Sequence, residues 1–175
     1  MQQVSLEELN GATRAAFIDA LGDIFEHSPW VAKAAAGERP FPTLAPLYNR
    51  LSAALLGAGA EQQLAVIKAH PDLAGKAART GTLTLESTAE QASAGLDRLS
   101  EEEYATFHRL NEAYKQKFGF PFIICVRRHT RDSILDQFER RLRNDPDTEL
   151  AAALEEIGHI TRLRLTAKVE GPAPP

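Results

Sequence analysis

A chain of 175 residues with 20 basic and 24 acidic side chains, net charge -4, is long enough to close a core without staples, burying about 70% of the surface its unfolded form exposes. Its one cysteine, Cys125, excludes an internal disulfide framework and a multi-thiolate zinc site, and fits a reducing, cytoplasmic setting. The charges are mixed along the chain, which counts against DNA or RNA as a partner, and there is neither a basic-then-apolar leader nor a run of about 18 apolar residues to suggest a membrane span.

Helical signals dominate in chain order. Ser5 and Glu8 form an S-x-x-E capping box, and Phe17, Ile18, Leu21, Ile24 and Phe25 follow at helical spacing, a segment ended by "HSPW" at 27–30. A second periodic run extends from about Leu44 to Leu56, and "GAG" at 57–59 separates it from "EQQLAVIKAH". "RTGTLT" marks a loop before "ESTAEQASAGL", and "SEEE" at 100–103 is another capping box, predicting a helix to about Lys117. The pattern then changes: "FGFPFIICV", 118–126, is aromatic and β-branched around a proline. With no second strand-like run to pair with, it reads as an extended apolar link. Thr130 can cap "RDSILDQFERRLRN", and Asp145 with Pro146 opens a last long helix. The expectation is an all-α fold, a single compact domain of about eight helices over 1–168, with "VEGPAPP", 169–175, as a disordered tail.

Three places could carry chemistry. In "KAHPDLAGK", 68–76, proline pushes the residue before it out of helical geometry, so His70 is expected to end a helix. Carbonyls exposed there favour a cation, which would make the imidazolium a usable proton donor, but a capping histidine that only satisfies those carbonyls is the commoner arrangement. Ser87 and Glu90 in "ESTAEQ" repeat the S-x-x-E pattern. They read either as a capping box or as cleft groups, with Glu90 orienting His70 and Gln91 adding an amide contact. Arg164 falls on the same helical stripe as Ile160, Ile157 and Ala153, whereas Arg162 shares the wet side. A guanidinium beside an apolar face either snorkels out or meets an anion, and its planar fork suits a carboxylate. The other histidines show no paired ligand spacing, glycine-rich phosphate loops are absent, and Cys125 reads as a buried small hydrophobe.

Taken in order, "FEHSPWVAKAA" at 25–35, "HPDLAGK" at 70–76, "ESTAEQASAGLD" at 86–97, "LNEAYKQKFGFPFIICV" at 110–126 and "EIGHITRLRL" at 156–165 resemble one family, the 2-oxo-4-hydroxy-4-carboxy-5-ureidoimidazoline (OHCU) decarboxylases of urate degradation. The resemblance implies an all-helical, usually dimeric, cofactor-free carboxy-lyase of purine metabolism that forms (S)-allantoin and CO2. It matches the family's proton donor to His70; that Glu90 is catalytic too, polarising the imidazole, is the expectation from the residue types. Ligand contacts fall on Pro71, on Ser87, Thr88, Ala89, Glu90 and Gln91, on the main chain of Phe122, Ile123, Ile124, Cys125 and Val126, and on Arg164. It also points to functional association with the preceding enzyme, hydroxyisourate hydrolase. The residue types suit the chemistry: the ring C=N of the substrate can accept the electron pair CO2 leaves behind, so the protein need only align the carboxylate, stabilise an enol-like intermediate and deliver a proton to one face. Two other classes compete. A helical binding module would use the same cleft without turnover, and a helical transcription regulator is disfavoured by the acidic balance.

Overall fold

The computed structural model describes residues 3–172. Contacts group the chain up to Ala69 with the segment from Gly158 onward, and, as a second unit, His70–Ile157. Among the described residues there are ten α-helices and one two-stranded parallel pairing, and no helix is long and apolar enough to cross a membrane.

In the first unit, β1 (Val4–Ser5) leads into α1 (Leu6–Gly11), whose start is the expected capping box: Ser5 Oγ accepts from the Glu8 amide at 3.1 Å and the Glu8 carboxylate accepts from the Ser5 amide at 2.8 Å. The helix then stops, where the sequence pattern suggested continuity. Thr13 restarts the chain as α2 (Arg14–Leu21), accepting from the Ala16 amide at 3.2 Å. The orphan carbonyls at the end of α1 are met from far away, by Arg39 Nη1 at 3.1 Å from Leu9 O and 2.6 Å from Ala12 O. Ile24 and Phe25 lie beyond α2 but are buried as their spacing implied. α3 (Trp30–Ala35) packs on α4 (Leu44–Leu56), which matches the periodic run and buries Leu47, Leu51 and Leu55 at i, i+4 spacing. α5 (Ala60–Ala69) follows. Val169 and Glu170, expected in a disordered tail, instead form β2 and pair with Val4 and Ser5; Val169 is 1% exposed, and burying that side chain holds the strand in place. The rest of the expected tail from 173 on lies outside the described residues.

The second unit holds α6 (Lys76–Thr80), α7 (Leu85–Ser93), α8 (Glu101–Phe118), α9 (Arg131–Arg141) and the first part of α10 (Pro146–Lys168). The caps at Ser100, Thr130 and Asp145 are in place: each side chain accepts from an amide three residues on, Glu103 at 3.2 Å, Ser133 at 3.2 Å and Thr148 at 2.9 Å. Between α8 and α9 the chain runs without regular structure and then makes a 3-10 turn at Val126–Arg128, so the expected extended link is present, and Phe120 through Val126 are buried. Tyr114 and Phe138 form its bed; the Phe122 and Phe138 rings stack at 3.7 Å between centroids. Gly119 turns the chain from α8 into the link at φ 78°. An alanine there has open space around its Cβ but must adopt left-handed geometry, so Gly119→Ala is expected to destabilise by about 1–2 kcal/mol in a denaturant titration.

Candidate active site

α5 ends at Ala69, and His70 is the first residue beyond it, 7% exposed. Pro71 explains the break, since its ring disfavours helical geometry in the preceding residue. The turn that follows is held by side chains of α7 and α8. Gln91 accepts from the Ala74 amide at 2.9 Å and donates to Asp72 O at 3.2 Å, while Asn111 Nδ2 donates to Leu73 O at 2.8 Å. Lys115 Nζ reaches Asp72 Oδ2 at 2.8 Å, a bond that raises the lysine pKa above its ordinary value.

The S-x-x-E motif at Ser87 does not cap α7. Thr84 does, its hydroxyl accepting from the Ser87 amide at 3.2 Å. Ser87 is therefore the third residue of the helix, and Ser87, Glu90 and Gln91 lie at i, i+3 and i+4 on one face. Ser87 and Gln91 are buried and Glu90 is half-buried, whereas Thr88 and Ala89 are exposed. Thr88 borders a cavity of about 310 Å³ together with Ala74, Gln91, Leu96 and Tyr104. Thr84→Ala is expected to cost about 1 kcal/mol of stability in thermal or denaturant unfolding, with Ser87→Ala showing no comparable capping loss.

α7 packs against the 3-10 turn 126–128, which brings Ser87–Gln91 beside the end of the apolar link. The Cys125 thiol is pushed up to about 11, first by burial and then by the carboxylates of Glu156 and Glu90, so it stays protonated and is no nucleophile at neutral pH. Side chains of the unit hold main-chain groups of the link. The Cys125 amide donates to Glu156 Oε2 at 2.7 Å, and Ile123 O accepts from Arg141 Nη1 at 2.6 Å. Arg141 Nε in turn meets Glu149 Oε2 at 2.9 Å, and the same carboxylate takes the Tyr114 hydroxyl proton donor and Asn144 Nδ2. Burial and this carboxylate raise the Tyr114 pKa above its ordinary value. The second unit thus gathers a histidine-led turn, a polar face of one helix and an anchored stretch of main chain.

In the first unit, Arg164 is 5% exposed, on the buried stripe of α10 with Ile160, while Arg162 is exposed. The anion it meets is a protein carboxylate: Nη1 lies 2.7 Å from Oε2 of Glu26, itself 2% exposed. Such a pair keeps a guanidinium charged in a dry setting. Among the described residues, no group of three or more His, Cys, Asp or Glu side chains is placed to hold a metal ion.

The family model of OHCU decarboxylase matches residues 10–166. The chain belongs to the OHCU decarboxylase family. It is 42% identical to a 2-oxo-4-hydroxy-4-carboxy-5-ureidoimidazoline decarboxylase of Haloferax volcanii, covering 96% of this chain and 98% of that protein, and 36% identical to the mouse protein of the same name over 93% and 92%. It is also 40% identical to the uric acid degradation bifunctional protein PucL of Bacillus subtilis, over 92% of this chain and 32% of that one. Among solved structures it is similar to an (S)-allantoin synthase, with TM-score 0.75 and 28% identity over 95% of this chain and 54% of that one; this chain spans about half of that protein's length.

Sequence reasoning placed His70, the Ser87–Gln91 face and the buried side of Arg164 within this OHCU decarboxylase family chain, but it missed Glu26, Asn111, Arg141, Glu149 and Glu156. Their partners lie 138, 38, 18, 8 and 31 residues away, and no local periodicity encodes such pairings. The one available signal was the cost of burying a charge on an apolar face, which for Arg164 left two outcomes open, snorkelling or an anion, and named no partner.

Proposed function

We propose that this chain converts 2-oxo-4-hydroxy-4-carboxy-5-ureidoimidazoline to (S)-allantoin and CO2 in urate degradation, with His70 as the proton donor. The observation that carries the reading is the convergence of the His70 turn, the Ser87/Glu90 face of α7 and the main chain before the 126–128 turn within one compact unit, in a chain of this family. In the reaction the bond from C4 to the carboxylate breaks and its electron pair forms a C4=C5 double bond, displacing the C5=N electrons onto nitrogen, which takes a proton from solvent. The C4 enol then collapses to the ring carbonyl as its hydroxyl proton leaves and a proton reaches C5, the carbon bearing the ureido group. One proton is consumed overall, and the face on which C5 receives its proton fixes the configuration.

His70 is suited to take the hydroxyl proton and return one to C5, since imidazole changes charge near neutral pH. Glu90 polarises it. Ser87 and Pro71 contact the ligand, and main-chain amides of 122–126 other than that of Cys125, whose N–H already serves Glu156, hold its oxygens as charge develops. The substrate supplies its own electron sink, so the chemistry asks for positioning and proton delivery. The chain works as a cytoplasmic homodimer and takes its substrate from hydroxyisourate hydrolase; the bifunctional uric acid degradation relatives support this association.

The test generates the intermediate from urate with the two upstream enzymes and follows its disappearance. Adding this protein is expected to accelerate the loss in proportion to enzyme concentration. Decay at the spontaneous rate would instead favour a helical module that binds without turnover.

A further inference from the structure

The turn after His70 is an improbable piece of backbone. Ala74 sits at φ 49°, in the left-handed region that non-glycine residues rarely adopt, and is only 2% exposed. Gly75 beside it has no room for a side chain, because a Cβ there would stand 2.8 Å from Asp72 Cβ. Such a conformation persists only when its surroundings over-determine it, and here the surroundings are two buried carboxamides. Gln91, 5% exposed, clasps the turn at both ends of its amide, accepting from Ala74 N and donating to Asp72 O. Asn111, 2% exposed, holds the carbonyl between them, that of Leu73, while its own Oδ1 is buried without a hydrogen-bond partner. Leaving that oxygen unmet has a cost, which makes the single bond to Leu73 the reason to keep an amide at this position.

We propose that Gln91 and Asn111 are positioning residues for the decarboxylation: they lock the 71–75 turn, and through it fix the imidazole of His70, rather than binding the substrate themselves. This rests on the decarboxylase reading above. The sequence resemblance placed Gln91 among ligand contacts, but a carboxamide that completes two hydrogen bonds to the backbone of one turn is placed to shape that turn. Displacing a proton donor by about 1 Å can slow a reaction by about 100-fold without loosening substrate binding.

The experiment compares the full-length wild type with Gln91→Met, Gln91→Glu and Asn111→Leu, measuring kcat and KM for the enzymatically generated intermediate and hydrogen exchange of the Ala74 amide. Gln91→Met, which removes both bonds, is expected to lower kcat about 100-fold while KM stays within about threefold, with Ala74 exchange greatly accelerated. Gln91→Glu retains an acceptor for the Ala74 amide but not the donor to Asp72 O, so kcat falls by less and Ala74 stays protected. Asn111→Leu lowers kcat with KM unchanged. A rise in KM at constant kcat would overturn the proposal by making Gln91 a ligand contact, and so would unaltered kcat or unaltered Ala74 exchange in Gln91→Met. Should Gln91→Met not fold, Gln91→Glu and Asn111→Leu decide by the same split. A wild type without turnover would sink the decarboxylase reading instead, and the clasp would then stand or fall on Ala74 exchange alone.

Discussion

His70→Asn is expected to lower turnover by a factor of about 10² to 10⁴, the range for losing a positioned proton-transfer group, while the protein melts within a few degrees of the wild type. His70 lies outside α5, 7% exposed, at the head of a turn whose hydrogen bonds run through Asp72, Leu73 and Ala74. The clasp therefore does not pass through the imidazole. Asparagine keeps a polar side chain of similar reach but cannot exchange a proton near neutral pH. Steady-state kinetics on the generated intermediate, with a thermal melt of each variant, separate the roles. Near-normal kcat in His70→Asn would show that the proton comes from elsewhere, and a large loss of melting temperature with it would return His70 to the status of a structural helix-end residue.

The largest expected effect on stability comes from Arg141→Met. Glu149 is fully buried, and Arg141 is its one positively charged partner in the bonds described, at 2.9 Å. Removing the guanidinium leaves a carboxylate in a dry site with only the Tyr114 hydroxyl and Asn144 amide, and breaking a buried pair in this way costs about 3–5 kcal/mol. For a chain of this size that corresponds to a melting temperature lower by roughly 10 °C. Methionine fills much of the same volume over the Phe122 ring, which the guanidinium now covers at 4.4 Å, so the loss reports charge rather than a cavity. The double variant Arg141→Met with Glu149→Leu is expected to recover most of the stability, because no lone charge remains. It cannot recover the bond to Ile123 O, and activity is expected to stay low, since the link loses the group that fixes that carbonyl. A single variant as stable as the wild type would show that Glu149 is neutral or wet, and the anchoring of the link would need another cause.

Where the sequence was legible, the reason was local. Ser5, Ser100, Thr130 and Asp145 each place an oxygen three residues before an orphan amide, and each helix starts where that geometry says. α4 carries its apolar stripe within its own length. The failures were also physical. α1 and α2 looked continuous because the residue that stabilises the break, Arg39, lies 27 residues beyond Ala12. The S-x-x-E pattern at Ser87 pointed to a cap there, but Thr84, read only as part of a loop, holds the Ser87 amide, so α7 starts three residues earlier than that pattern implied. Val169 looked like part of a polar, proline-rich tail, yet one buried valine opposite Val4 is enough to pair the strand. At the site, the His-Pro break and the buried face of Arg164 followed from sequence physics, whereas the carboxamide clasp and the Arg141–Glu149 anchor depend on contacts that only the folded chain creates.

The central claim, that this chain removes CO2 and protonates C5 on one face, is tested most directly by circular dichroism of the product formed from freshly generated intermediate. The enol left by decarboxylation is planar, so protonation by solvent alone gives equal amounts of both hands. The wild type is expected to give a strong excess of (S)-allantoin that His70→Asn abolishes. Racemic allantoin from the wild type at saturating protein would contradict the account.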